Sequence, residues 1–460
     1  MSVGLKLVRP LAPAKPAIGL ERLALALYAC LLLAVTVYQD FPLANSIGEI
    51  GRSPMVLFTP LFVFCEIAML SKHKRVLHVS KLQKYLFGFI LYLLFVSMAY
   101  VLVQFLQGSY SFGSENLLGK AVKVLFYFTL ILLYVRHVQL VIAKLGSFRL
   151  LYGCFLSVVT LLLVIMILEM ASMPNALPFL HAGSGPYWRV RLLTSESSTT
   201  GTIVVVYTGI LVYLSRYLSS FAKVLSMLYV AGFFVFYLSV TGSKGFLIVF
   251  LLTLIAAMLK FLDFRKKKNF LLLIVAVAAM YYMIASFAAG VLTSFNNDIQ
   301  NYTSSVTRMG TIVIAIVTVL HHPFGVGTGA YLIYFERYLS DSISFMTKFY
   351  YNVFGLSQIN ASELMQYSGS DKNLGVKSGL FQWIMFGGIP AVAFFYLMTK
   401  HLIGKVKSSL ILFMALVFTL LSLLFVVLEI KYEIWLLFAF ISALSGNHEA
   451  DHSKASGEDS

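Results

Sequence analysis

Residues 85–106 read YLFGFILYLLFVSMAYVLVQFL, without one formal charge. At about 1.5 Å of rise per residue, a helix of that length crosses the roughly 30 Å hydrocarbon layer of a bilayer. Comparable apolar runs occur at 23–39, 55–70, 121–135, 150–170, 200–217, 226–241, 245–263, 270–293, 378–398, 408–428 and 432–445, with polar connectors between them. The recurrence points to an all-α polytopic membrane protein with about 12 transmembrane helices. Composition agrees: 59% of residues are hydrophobic and 12% charged, where a soluble globule carries about 25% charged residues. No connector is long enough to fold a separate soluble core, so residues 1–445 read as one integral domain. The tail 446–460 is polar and without periodicity, and reads as a disordered cytoplasmic extension.

A net charge of +16 raises the question of nucleic acid. In a membrane protein, Lys and Arg instead gather in cytoplasmic loops beside anionic lipid. With the N-terminus inside, most of the 35 basic residues fall on that side, in clusters such as Lys72–Lys84, Arg136–Arg149, FRKKKNF at 264–270 and Lys400–Lys407. Both termini are therefore expected in the cytoplasm, and no nucleic-acid partner is expected. Cys30, Cys65 and Cys154 lie inside apolar runs and read as small packing residues rather than disulfide or metal ligands. The basic, apolar N-terminus lacks a small-residue cleavage site and reads as a retained first span.

Two long segments then face away from the cytoplasm, 171–199 and 294–377. The second contains RMGTIVIAIVTVLHHPFGVGTGAY at 308–331. Its apolar run, Thr311–Leu320, is too short to cross, so it is expected to be an interfacial or re-entrant helix broken by Gly325, Gly327 and Gly329. The alternative is a thirteenth span, which would put the C-terminus outside and weaken the charge bias.

The outer face should be poor in cations, yet RVRLLTSESSTTG at 189–201 begins with Arg189 and Arg191. Lys244 occupies a tight outer turn, SVTGSKGF, and Arg308 leads the short apolar run. These four stand hard against spans, with few acids to neutralise them, and an anionic ligand such as phosphate suits the arginine fork. Arg337, Lys348 and Lys372 read more simply as solvated loop charges. Glu196 is placed to pair with an arginine, cap the next helix or act as a base, and Ser197–Thr200 are good N-terminal capping residues regardless of function. His321 and His322 end the apolar run, where imidazole serves either as a phosphate donor and proton acceptor or as a favourable helix C-terminal charge. Trp188 and Tyr331 are candidate sugar-stacking rings among interfacial aromatics. No metal-ligand spacing, phosphate-binding loop, dinucleotide fingerprint or nucleophile elbow occurs, so no metal or cofactor is expected.

Taken together, RVRLLTSESSTTG (189–201), TGSKG (241–245), the 308–331 segment and KSGLFQWIMFGGIPAVAFFY (377–396) resemble the O-antigen polymerase and ligase family of bacterial envelope glycosyltransferases. The resemblance covers roughly residues 150–400. It implies a metal-independent, inverting C-type glycosyltransferase in the bacterial inner membrane, with its active site facing the periplasm. It also implies undecaprenyl-diphosphate-linked oligosaccharides as substrates, membrane lipid as surroundings and a chain-length regulator protein as a further partner. Arg191, Glu196, Arg308 and His322 would be catalytic, with Trp188, Arg189, Lys244, His321, Tyr331 and Lys377 binding substrate. Two departures stand out. Lys244 occupies a position where arginine is common. Lys377 stands where ligases carry histidine followed by asparagine, which favours polymerase over ligase. A flippase of lipid-linked sugars is the rival from another class. It would place ionisable residues along a mid-membrane path, whereas here the charge lies at the rim.

Overall fold

A computed structural model describes residues 19–72, 79–183, 185–263, 271, 274, 304–355, 359–370 and 374–444. Within them the first helices are α1 (Gly19–Thr36), α2 (Thr59–Lys72), α3 (Lys81–Leu106), α4 (Leu117–Leu145) and α5 (Phe148–Ser172). Next come α6 (Thr200–Ser215), α7 (Ser220–Thr241), α8 (Lys244–Phe261) and α9 (Ser304–His321). The series closes with α10 (Tyr331–Arg337), α11 (Leu339–Phe354), α12 (Gly379–Lys405), α13 (Leu410–Ser422) and α14 (Tyr432–Ala443). Seven of the described helices are long and apolar enough to cross a membrane, those built on α1, α3, α4, α5, α6, α7 and α12. Exposed Phe95, Phe221, Leu228 and Tyr396 on their outer faces suit contact with lipid. The expected span 270–293, apart from Leu271 and Ile274, and the tail 446–460 lie outside the described residues.

Local chemistry explains the boundaries. Ser80 and Gln83 cap the start of α3 reciprocally, Gln83 N donating to Ser80 Oγ (3.3 Å) and Ser80 N to Gln83 Oε1 (3.0 Å). A two-rung hairpin, Ser111–Phe112 with Glu115–Asn116, links α3 to α4, and Asn116 caps α4 by accepting from Gly119 N at 2.9 Å. Helix α4 runs ten residues past the expected end at 135. Arg136 is not a loop cation. Its Nε donates to Glu66 Oε1 of α2 at 2.5 Å, so the charge is paired inside the bundle and the helix has no reason to stop until Gly146, which adopts a left-handed conformation.

At the centre, α14 packs on α4 and α6 and buries every residue from Tyr432 to Ser442. Its 12 residues cover only about 18 Å, and because its surroundings are protein rather than lipid no hydrophobic mismatch arises. Trp383 of α12 anchors an aromatic cluster with Phe128 (4.1 Å between centroids), Trp435 (5.6 Å) and Phe89 (5.7 Å), and its indole N–H donates to Glu429 Oε1 at 3.0 Å. Helix α13 stops at Ser422 rather than continuing to 428. The chain beyond it supplies carbonyls to the start of α12: Val426 O accepts from Gly379 N (2.8 Å), and Leu423 O from Ser378 Oγ (2.8 Å).

The short apolar run Thr311–Leu320 is the C-terminal part of α9, which leads into a loop docked on α12. Helix α9 ends at His321, and residues 322–330 insert among α3, α4 and α12 before α10 turns back. Helix α12 is broken at Gly388 (φ 59°, ψ −143°) and Pro390 lacks an N–H, so the carbonyls of Met385 and Phe386 lose their helical donors. Val326 N (3.2 Å) and Gly327 N (2.9 Å) take those two carbonyls, while Ile389 N donates to Pro323 O (2.8 Å). Thr328 N donates to Ser97 Oγ at 2.9 Å. The contact lies about 10 Å along α12 from Gly379 and about 13 Å along α3 from Leu106. Irregular backbone inserted among helices is stable here because protein groups satisfy its hydrogen bonds. Gly325 and Gly327 adopt φ of 78° and 73°, and a Cβ on Gly325 would lie 2.3 Å from Phe386 O.

Candidate functional site

One end of the bundle gathers the C-terminal ends of α1, α5, α7 and α13 and the starts of α6, α8, α12 and α14. Across it runs a strap, residues 187–199. Glu169, the fourth residue from the end of α5, is fully buried and directs Oε2 at the strap backbone, accepting from Arg191 N (2.7 Å) and Leu192 N (3.1 Å). Leu192 and Leu193 both sit in the left-handed region, φ 46° and 64°, at a cost of order 1–3 kcal/mol each for non-glycine residues. Gln39 N holds the second of them by donating to Leu193 O (2.9 Å), and Thr194 returns both its N–H and its hydroxyl to Arg191 O.

On this fixed backbone the Arg191 guanidinium lies over the Tyr187 ring, 4.4 Å from its centroid. The Tyr187 hydroxyl is tied to Glu169 O (2.9 Å) and Ser172 Oγ (2.6 Å), so the ring is a buried platform for the arginine rather than a free sugar-stacking surface. Arg191 Nε and Nη2 are buried and meet no acceptor among the described residues. Buried charged donors without acceptors are costly, and an anion placed there relieves that cost. Arg189 is exposed and runs beside the α7–α8 turn, its Nε 3.7 Å from where a Cβ on Gly242 would sit. Lys244 opens α8 in that same turn, while its side chain lies outside the described residues. Trp188, 76% exposed, projects from the strap.

Glu196 is exposed, and Ser198 Oγ donates to its Oε2 at 3.3 Å. Its carbonyl accepts from Thr199 N and from the Thr199 hydroxyl, and shares the Thr194 hydroxyl proton with Arg191 O, which builds the turn into α6. Beneath that turn lies a polar network that sequence reasoning missed. Lys431 Nζ, buried, donates to Thr199 Oγ1 (2.9 Å) and to Gln39 Oε1; Gln39 Nε2 donates to Glu433 Oε2 (2.6 Å), and Thr202 Oγ1 to Glu433 Oε1 (2.8 Å). Burial pushes the Lys431 ammonium below its ordinary value, against the pull of Glu433 and Glu196. Nothing in the sequence around Lys431 marks it as interior.

Arg308 and Lys377 form a neighbouring pair. Thr311 Oγ1 donates to Arg308 O (2.9 Å) and accepts from Lys377 N (3.1 Å), and the Lys377 ammonium lies 5.8 Å from the Tyr367 centroid. The segment from Leu423 to Lys431 joins this pair to the strap, touching α12 at one end and Thr199 at the other.

The histidines stand apart from these cations. Arg308 and His322 occupy opposite ends of α9, about 20 Å apart along its axis, so they do not address one phosphate. His322 sits in an aromatic box, with Tyr100 Oη 3.1 Å from Nδ1, Tyr338 Oη 3.4 Å from Nε2 and the Tyr334 ring 4.5 Å away. Burial, then Arg337 and His321, lower its pKa. His321 is exposed and stacks on Tyr338 at 5.1 Å. Tyr331 is buried, packs on Phe386 at 5.0 Å and donates its hydroxyl to Leu374 O, which makes it a support of the hairpin rather than an open ligand surface. The ten sequence candidates thus divide into a strap group, the Arg308–Lys377 pair and the hairpin group. No group of three metal-ligating side chains occurs among the described residues. Compared with known proteins, the chain matches no family model and no curated protein.

Proposed function

We propose that the chain is a polymerase of lipid-linked oligosaccharide repeat units. It moves a growing glycan from undecaprenyl diphosphate onto an incoming lipid-linked repeat, with the strap facing the periplasm. The observation that carries this reading is Arg191: a guanidinium on a fixed backbone, with two buried nitrogens, Nε and Nη2, whose N–H groups no described residue accepts. In the reaction an acceptor hydroxyl attacks the anomeric carbon, the bond to the diphosphate breaks, and negative charge grows on the departing phosphate. Cations already oriented there lower the barrier. Arg191 and Arg189 are assigned to the leaving group, with the Lys244 turn beside them and Arg308 and Lys377 on the adjoining flank. Glu196, on the same strap, is the better placed of the two carboxylate and imidazole candidates to take the acceptor proton, because His322 sits a helix length from Arg308.

A transporter fits less well. Glu66, Glu169 and Glu433 are each engaged by a partner, to Arg136, to His181 and to Gln39 with Thr202, and serve packing rather than passage. Cells carrying Arg191→Ala are expected to hold the protein in the membrane and to display glycans of a single repeat on a gel. Long chains in that variant would contradict the leaving-group assignment. Long chains left unattached to lipid A core after deletion of the chain would identify a ligase instead.

A further inference from the structure

His181 lies in the strap's approach and is not part of the reaction just described. Its ring is fully buried, with Nδ1 3.0 Å from Asp40 Oδ2 and Nε2 3.0 Å from Glu169 Oε1. An imidazole lone pair facing a carboxylate repels it, so two such contacts require a proton in each. The simplest species that supplies both is imidazolium between two carboxylates. Glu169 is therefore held from both sides: one oxygen on His181, the other on the backbone N–H groups of Arg191 and Leu192. Those are the N–H groups that precede and begin the left-handed pair at Leu192 and Leu193. Asp40 is in turn adjacent to Gln39, which bonds Leu193 O and belongs to the Lys431 network.

We propose that His181 is a positioning residue under proton control: as imidazolium it fixes Glu169, Glu169 fixes the strap, and the strap orients Arg191 toward a diphosphate. The inference rests on the anion-binding role given to Arg191 above. The groups facing His181 are Asp40 beyond α1, Glu169 on α5, and Tyr187 and Arg191 on the strap. Burial and Arg191 oppose its proton, but the hydrogen bonds to Asp40 and Glu169 outweigh them and the pKa is raised. The sign follows. The clamp is complete below the ordinary imidazole value of about 6.5 and is lost as pH rises through the higher folded-state value. Coupling is reciprocal, so an anion on Arg191 raises that value further.

The test uses the full-length protein in nanodiscs, with inorganic pyrophosphate as probe and affinity measured across pH. For the wild-type protein, affinity relative to His181→Gln is expected to be about tenfold higher at low pH and to converge as the imidazolium is lost. Taking that ratio cancels the ionisation of pyrophosphate itself. Asp40→Asn removes one stabilising carboxylate while leaving Glu169 and Arg191 in place. It is expected to move the step to lower pH and to leave low-pH affinity near wild type. Equal affinity and equal pH profiles in all three proteins would overturn the positioning role while leaving anion binding intact. If wild-type protein and Arg191→Ala bind pyrophosphate equally weakly at every pH, the anion-binding reading fails, and the inference with it.

Discussion

Arg191 shows how far a residue can be read before its surroundings are known. Its place in RVRLLTSESSTTG, on the side the charge bias predicts to be cation-poor, was visible in the sequence. What makes it distinctive was not. Leu192 and Leu193 carry no signal for left-handed backbone, and nothing in the sequence places the Glu169 carboxylate under the strap. Lys retains charge but lacks the fork, so Arg191→Lys is expected to keep part of the turnover that Arg191→Ala loses. Glu169→Ala removes the acceptor of two backbone N–H groups and strands a buried His181. Its destabilisation should be of order 3–5 kcal/mol, measured as a shift in denaturant midpoint. Loss of less than about 0.5 kcal/mol would mean the strap is held elsewhere. Lys348, exposed on α11, should be replaceable by Ala with glycan length unchanged.

Among the elements, the hairpin after α9 was partly legible, since Gly325 and Gly327 marked a break in regular helix that the structure places at their positive φ. Its docking partner was not legible, because the need for it arises sixty residues later, where Gly388 and Pro390 leave two carbonyls of α12 without donors. Glycine positions separate the two kinds of constraint. Gly325→Ala meets Phe386 O at 2.3 Å as well as a positive φ, whereas Gly355→Ala meets a positive φ of 67° in open space. The first should cost several kcal/mol by thermal or denaturant unfolding, the second about 1 kcal/mol. Similar costs at the two positions would show that the hairpin is not wedged against α12. Helix α4 continues past the span expected to end at 135 and α13 stops short of 428, and contacts with distant segments meet the chain at both places.

Across the whole molecule, the class of fold was legible from apolar run length alone, since lipid leaves helices as the only continuous solution for such runs. The grouping of the site was not, because spacing in sequence says nothing about which connectors meet at one end of a bundle. The charge bias predicts an orientation that can be checked chemically. Trp188→Cys, on the strap, should react with a membrane-impermeant maleimide in intact spheroplasts. Arg216→Cys, at the opposite end between α6 and α7, should react only after lysis. The reverse pattern would put the strap in the cytoplasm.

The decisive quantity is the single-turnover release of polyprenyl diphosphate from a lipid-linked repeat by purified protein in liposomes. Arg191→Ala should slow that release by about 10²–10³-fold while unfolding at the same temperature as the wild type. Release at the wild-type rate would show that this guanidinium does not carry the charge of the leaving group.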